Sequence, residues 1–472
     1  MNRTRTRRAR ALAALALVLV LSGCAVGPRY HAPAAAAPPA FKEAGDWVPA
    51  TPADQRPRGQ WWAAFGDTVL DDIEGQVEIS STDLAIAEAQ YRQALALAGI
   101  SHAALFPSIG ADGSILRTQA AARPDATAPP PSTSEGFGLS AAWELDLWGR
   151  LRRAQQAGHA TAQASAADLE SARLSAHALV AQTYFALRTV DADRRVIDRL
   201  VEGFEQSLEI AQNQYSVGVV AHSDVDAAQA QLDQARAQGI DLEVQRGQLE
   251  HSLAVQIGRY PAEFGIERAD SSARLPLPPP VLPSGLLQRR PDVAAAERRL
   301  AAASAQIGVA VAGYFPSLEL TGSGGYSAAP SARLITVPTR VWALGASVAQ
   351  TLFDAGKTRA TVAGAHAAYD ESLAEYRHTV LAAFEDVEDE LTATHVLAQE
   401  AGVQDTATAA ARAALERTLN QYRAGTVSHL AVFVAQATLL NAERAGVDLA
   451  GRQELAAVAL FKATGGGWTA AR

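Results

Sequence analysis

Tyr215-Ser-Val-Gly-Val-Val-Ala-His-Ser-Asp224 sits between two helical runs, and from Gly149 to Tyr260 there is not one proline. Residues 150 to 214 carry the Ala, Leu, Gln, Glu and Arg of a continuous helix, which at about 1.5 Å per residue reaches about 100 Å. Ordinary globular helices are much shorter. Ile197, Val201, Phe204, Leu208, Ala211 and Tyr215 follow a 4-3-4-3-4 spacing, the seam of a helix that supercoils with a neighbour. Val196, Leu200 and Ile210 form a second stripe beside it, so one helix can contact a neighbour on each side, as in a curved wall of helices. The stretch reads as a long antiparallel helical hairpin with a glycine at its tip.

The hairpin recurs. Asn213-Gln-Tyr-Ser-Val-Gly-Val-Val-Ala-His222 is echoed 207 residues later by Asn420-Gln-Tyr-Arg-Ala-Gly-Thr-Val-Ser-His429, and Gly149 and Gly356 share that offset. Upstream, Asp83-Leu-Ala-Ile-Ala-Glu88 matches Asp292-Val-Ala-Ala-Ala-Glu297, and Phe106-Pro107-Ser108 matches Phe315-Pro316-Ser317, both at an offset of 209. In the second copy Val380, Phe384, Val387, Leu391, Thr394, Ala398 and Ala401 repeat the seam. One structural unit is written twice.

Between the long helices of each copy the period changes. Residues 108 to 117 are short, glycine-containing and strand-like, 120 to 135 read as an exposed loop, and Leu139, Ala141, Trp143, Leu145 and Leu147 alternate with Ser140, Ala142, Glu144 and Asp146. The second copy has Leu318, Leu320, Gly322, Gly324 and Tyr326 against Glu319, Thr321 and Ser323, then Trp342, Leu344, Ala346, Val348 and Leu352. Period two with one apolar face fits a strand between lipid and water, and equally a half-buried soluble strand. Four strands cannot close a barrel with a usable lumen, and open edges are not tolerated in lipid, so if they span a membrane several chains share one barrel.

At the start of the chain, Arg3, Arg5, Arg7, Arg8 and Arg10 precede an apolar run, and Leu21-Ser22-Gly23-Cys24 follows. That is a secretory signal ending in a lipobox, with Cys24, the only cysteine, as the lipid attachment (palmitate) site. Ala25 after it points, by resemblance to bacterial lipoproteins, to the outer membrane. Loss of the five arginines of residues 1–23 takes the formal charge from −9 to −14, which disfavours nucleic acid as a partner. Past Cys24 no apolar run is long enough for a membrane-spanning helix. The expected organisation is 1–23 signal peptide, 24–66 lipid-anchored extended arm, 67–257 first repeat, 258–290 Pro-rich connector, 291–464 second repeat and 465–472 flexible tail. Helix is expected from about Asp71 to Phe106, and core packing for Trp61-Trp62.

With its paired Tyr-x-x-Gly tips, Trp143-Glu-Leu-Asp-Leu-Trp-Gly-Arg150, Leu352-Phe-Asp-Ala-Gly-Lys357 and Leu287-Gln-Arg-Arg-Pro-Asp-Val-Ala-Ala-Ala-Glu297, nearly the whole mature chain resembles the TolC-like outer-membrane factor family. The lipobox places the resemblance in the lipoprotein branch that serves RND-type drug efflux. The resemblance implies a mainly α fold with a small β part: long antiparallel helical hairpins forming an α-helical barrel, plus four transmembrane β-strands per chain in a shared trimeric twelve-stranded β-barrel. It implies a homotrimeric passive conduit in outer-membrane lipid, docked by its tips on a periplasmic adaptor protein and energised by an inner-membrane RND-type transporter. Tyr215, Gly218, Val219, Tyr422, Gly425 and Thr426 are then the adaptor-docking tips, although glycine at a helix end is also simply a C-cap. The family's periplasmic gate, a tyrosine paired with an aspartate of the other tip, falls on Tyr422 and Asp224, with Ser223 beside it. The family's reinforcing arginine falls on Val427 and its two constriction aspartates on Ala431 and Val434, so an acidic constriction is not expected here.

His222 and His429 occupy equivalent tip positions; solvent-exposed helix starts are the plain reading and a periplasmic pH sensor the sharper one. Glu385, Asp386, Glu388, Asp389 and Glu390 read as a solvated or lumen-facing run. The chain has no close His or Cys pairing for a metal, no phosphate loop and no nucleophile elbow, so no cofactor and no catalysis are expected. Two other readings stand beside the efflux channel: a structural periplasmic coiled-coil lipoprotein, and the outer-membrane channel of a type I protein secretion system.

Overall fold

A computed structural model of the chain describes residues 25–33, 41–42, 60–119, 121, 130–269, 275, 290–329, 335 and 339–466. Cys24, most of the 258–290 connector and residues 467–472 lie outside the described residues. The element order is α1 (Thr68–Ser80), α2 (Thr82–Ala103), β1 (Ser108–Thr118), β2 (Ser132–Leu145), α3 (Arg150–Ser216), α4 (His222–Gln256), α5 (Pro291–Ala312), β3 (Ser317–Ala328), β4 (Arg340–Ala349), α6 (Lys357–Arg423) and α7 (His429–Ala463). α3 and α6 are each 67 residues long, and α4 and α7 each 35, so the duplication is carried down to element length. The described residues form two compact units. One comprises the described residues within 25–33, 91–166 and 295–377; the other comprises those within 41–90, 167–294 and 378–466.

The first unit contains the sheet. Its four strands are antiparallel in the order β1-β2-β3-β4, so β1 and β4 are the outer strands. The register aligns Ile109 with Ala141, Ala141 with Gly322 and Gly322 with Leu344, and likewise Ala111 with Leu139, Leu139 with Gly324 and Gly324 with Trp342. Partners in an antiparallel pair share a face, so the apolar sets of all four strands merge into one surface carrying Ile109, Ile115, Phe137, Leu139, Trp143, Trp342, Leu344 and Val348, all exposed. Asp112, Ser140, Glu144, Glu319, Thr321 and Ser323 take the other face, interrupted by Leu116 and Val341. β2 begins inside the stretch read as loop, because Thr118 and Ser132 extend the ladder and bring their hydroxyls to 3.3 Å. Trp143 and Trp148 donate their indole N–H groups to the carbonyls of Leu105 and Pro316 at 2.9 and 2.8 Å, fixing where the strands meet the helices. Asp146 caps α3 by accepting from the N–H groups of Leu151 and Arg152.

The second unit contains the hairpins and a core. Trp61, Trp62, Phe65, Leu70, Ile73 and Val77 pack with Tyr184, Phe185, Leu253, Val458 and Phe461; Trp61 stacks on Phe461 at 5.4 Å. Asp67 caps α1 through the N–H groups of Val69 and Leu70 and receives the Tyr184 hydroxyl at 2.8 Å. The helix expected over 71–106 is broken at Ser81, whose extended backbone separates α1 from α2. Ser80-Ser81-Thr82-Asp83 favours a cap over a helix interior, and Ser80 Oγ meets the Ile257 carbonyl at 2.5 Å, where α4 ends against the end of α1. Of the α3 seam, Ile197, Phe204 and Ala211 are buried, Val201 and Leu208 half-buried and Tyr215 exposed, with Phe204 packed on Leu232 and Ala235. In α6 it slips by one residue. Leu397 is buried and Ala398 exposed, with Ala393 and Ala401 packed on the same cluster at a four-residue spacing. In the acidic run, Asp386 pairs with Arg290 at 2.8 Å and Glu388 accepts the Lys42 N–H at 2.7 Å.

Inside this core His177 lies between two carboxylates, Nδ1 2.6 Å from Glu74 and Nε2 2.9 Å from Glu78, with Trp62 stacked on its ring at 4.2 Å. Burial pushes the Glu74 carboxyl up to about 7 despite the His177 hydrogen bond. Burial alone would depress the His177 imidazole, and its bonds to Glu74 and Glu78 more than reverse that. Both groups hold protons more tightly folded than unfolded, so their stabilisation is present at low pH and lost as pH rises, for Glu74 from its ordinary 4.5 through about 7. The melting temperature is therefore expected to slope downward across that window, and Glu74→Gln to flatten the slope in a melt recorded against pH. An unchanged slope would place the titration elsewhere.

Candidate functional site

The two tips are built alike. In the first, the Gly218 N–H donates to the Tyr215 carbonyl and the Val219 N–H to the Gln214 carbonyl, both at 2.9 Å; in the second, Gly425 and Thr426 donate to Tyr422 and Gln421 at the same distance. This pair of bonds closes a helix only if the residue between turns left-handed, and Gly218 and Gly425 stand at φ 77° and 71°. Val217 and Val219 project into solvent beyond the first tip. Across each turn a tyrosine meets a histidine seven residues on: Tyr215 edge-on to His222 at 5.1 Å, and Tyr422 to His429 at 5.6 Å.

Their surroundings differ. His222 is exposed and reaches Asp226 at 3.0 Å. Tyr422 and His429 are buried, at 3% and 5% exposure, against the expectation of a solvent-exposed helix start. The second tip is covered because α6 and α7 lean on α3 along a ladder of cross-hairpin contacts. From the tip inward these are Tyr422 Oη donating to Gln214 Oε1 at 2.7 Å, Gln436 Nε2 to Ser207 Oγ at 3.0 Å, Arg199 to Glu443 at 3.5 Å, and Arg444 bidentate to Asp193 at 2.8 Å. The Tyr422 hydroxyl thus bonds Gln214 rather than Asp224, the partner expected from the resemblance. Asp224 acts on it through charge, adding to burial in raising the phenol's pKa. Burial lowers the His429 imidazole and the Asp224 charge partly opposes it.

Ser223 and Asp224 lie in the first turn of α4. Val427 is half-buried, Ala431 is half-buried and Val434 is exposed. The residues that sequence reasoning missed are Gln214, Ser207 and Gln436. Gln214 precedes the tip tyrosine in both copies of Asn-Gln-Tyr, and Gln436 is the counterpart of Gln229; their duplication was the available signal. The copies have diverged in use, since Gln229 bonds Asp233 on its own helix while Gln436 crosses to α3.

Residues 75–259 and 282–466 match the family described as Outer membrane efflux protein. The pyoverdine export outer membrane protein OpmQ of Pseudomonas putida is 35% identical over 89% of this chain and 91% of its own length. The protein named Probable outer membrane lipoprotein SilC, of Salmonella typhimurium, is 28% identical over 95% of this chain and 96% of its own. Among solved structures, the outer-membrane channel OprN superposes with a TM-score of 0.86 at 30% identity, covering 94% of this chain and 100% of that one.

Proposed function

The chain belongs to the outer membrane efflux protein family, an outer-membrane channel family, and on that premise we propose that three copies form a passive conduit for small molecules with its periplasmic gate at the helical tips. The observation that carries this is the sheet: four antiparallel strands with one face mainly apolar apart from Arg117, Glu135 and Arg340 at one end, the other mainly polar, and β1 and β4 outermost. A sheet of that kind is stable in lipid only when its edges are paired, and β1 of one copy is antiparallel-compatible with β4 of the next. Three copies give twelve strands. The apolar face then meets lipid and the polar face the lumen.

On this reading residues 67–257 and 291–464 are the two copies of the unit, joined by 258–290 and preceded by the arm 24–66. The acyl-bearing Cys24 adds a second membrane attachment, a reading supported by the likeness to a lipoprotein. Tyr215, Gly218, Val219, Tyr422, Gly425 and Thr426 present the tips to a periplasmic adaptor, and an inner-membrane RND-type transporter supplies the energy. Tyr422, Asp224 and Ser223 belong to the gate together with Gln214. Neutral hydrogen bonds are worth about 0.5–1.5 kcal/mol each, so such a closure holds yet yields to a partner.

The test is single-channel conductance of the detergent-extracted protein in a planar bilayer. Discrete small openings are expected, and Tyr422→Phe with Asp224→Ala is expected to enlarge them several-fold. A silent bilayer from both proteins would reject the conduit.

A further inference from the structure

We propose that His429 is a positioning residue of the tip gate and renders it acid-sensitive: its neutral ring seats Tyr422 on Gln214, and protonation unseats it. This rests on the gate reading above.

The duplication supplies an internal comparison. The same tyrosine–histidine pair closes both turns, but only the second is buried, and there, among the described residues, His429 Nε2 is enclosed with no hydrogen bond. A neutral imidazole can leave one acceptor nitrogen bare at modest cost. An imidazolium carries N–H on both nitrogens and needs an acceptor for each, and a buried charge without one is strongly disfavoured. The titratable groups facing His429 are the Tyr422 phenol from α6 and the Asp224 carboxylate from α4. From α3 and from α7 itself the neighbouring groups of the ladder are the neutral Gln214, Ser207 and Gln436. Asp224 attracts an imidazolium, yet burial outweighs it, and the ring sits below the usual histidine range.

To take a proton the ring must turn toward water or toward Asp224. Its edge contact with the Tyr422 ring, 5.6 Å between centroids, is lost in either movement. The same tyrosine makes the outermost tie between the hairpins, so losing its seat loosens the ladder where it ends. The closed tip binds the proton less readily than an opened one, in which the ring is solvated. Falling pH therefore shifts the population toward open, beginning below the ordinary histidine value of 6.5. His222 lies exposed beside Asp226 and, among the described residues, makes no tie between the hairpins.

The experiment compares the open fraction of full-length trimers in planar bilayers at about pH 7.5 and about pH 5, with acid on the tip side. The wild-type open fraction is expected to rise about tenfold, within the range of coupling between linked sites. His429→Phe keeps an aromatic ring in the seat without a titratable nitrogen and is expected to be flat with pH. His429→Gln, a neutral polar replacement, should be flat as well, so the test survives misfolding of either variant. His222→Phe should keep the wild-type rise. A wild type with no rise, or folded His429 variants that retain it, would overturn the inference. Tyr422→Phe with Asp224→Ala separates the two levels. If that protein opens at about pH 7.5 while His429→Phe still responds to acid, the gate stands and the role of His429 falls; if it behaves as wild type at both pH values, both fall.

Discussion

Gly258→Ala is expected to leave little folded protein in the outer-membrane fraction. α4 ends with the Gly258 N–H on the Val255 carbonyl and the Arg259 N–H on the Ala254 carbonyl, and Gly258 turns left-handed at φ 70°. An L-residue there costs about 1–2 kcal/mol from backbone strain alone. The larger cost is steric. A Cβ would stand 2.0 Å from the Ser80 carbonyl oxygen and 2.8 Å from its carbon. These are backbone atoms at the end of α1, so no rotamer change relieves the overlap, and α1 must shift. That helix brings Leu70, Ile73 and Val77 to the core with Trp61, Phe65 and Phe461, so the shift would unpack the cluster that seats it. A loss of more than about 3 kcal/mol follows, at the upper end for a single substitution. Gly75→Ala on α1 is the control. A Cβ there meets nothing within 4 Å, and the change should be neutral or stabilising by up to about 1 kcal/mol. Trimer yield and melting temperature of the two variants measure the contrast. Equal yields would mean that the α1–α4 junction can move apart at little cost.

Features that depend on one segment at a time were legible in the sequence; those that depend on how segments meet were not. The 67-residue α3 and α6 follow from uninterrupted helix formers, and the tip turns from Gly218 and Gly425. The apolar and polar faces of the sheet follow from period two, because register only aligns faces already written into each strand. The break at Ser81 has a local signal that a continuous helix over 71–106 passes over, since Ser80-Ser81-Thr82-Asp83 favours a cap over a helix interior, whereas the contact that Ser80 makes with Ile257 could not be read locally. Tyr422 could be singled out in the sequence by the resemblance, but the partner its hydroxyl finds, Gln214, depends on how one hairpin is rotated against the other. The same rotation buries His429 and leaves His222 in water, although the two occupy equivalent positions in the repeat.

Asp191→Ala is expected to destabilise the protein by about 3–5 kcal/mol, the range for removing one partner from a buried ionic group. Asp191 has a side chain 1% exposed and serves two guanidinium groups, accepting from Arg188 Nη1 at 3.3 Å and from Arg246 Nε at 2.8 Å. Arg188 also donates to the Glu267 carbonyl at 2.8 Å and Arg246 to the Ile266 carbonyl at 2.5 Å, so the pair binds the segment leaving α4 to the root of the hairpin. Through Tyr184, whose hydroxyl accepts from Arg188 Nε and donates to Asp67, the network reaches the cap of α1. Without Asp191 two cations stay in place with carbonyls and a phenol but no neighbouring anion on Arg188. Arg246→Met is the informative comparison: Asp191 keeps Arg188, Glu250 is near enough to solvent to be rehydrated at 19% exposure, and the loss should be smaller. Thermal melts of both variants give the order, and a larger loss for Arg246→Met would show that the carbonyl ties, not the carboxylate, hold the root. The contrast with the tip is one of kind. The outermost rungs, Tyr422–Gln214 and Gln436–Ser207, are neutral hydrogen bonds of about 0.5–1.5 kcal/mol each, whereas the root is held by buried charges that cannot part without leaving one uncompensated. Opening confined to the tip should therefore leave the melting temperature set at Asp191, and Tyr422→Phe should change conductance far more than it changes the melt.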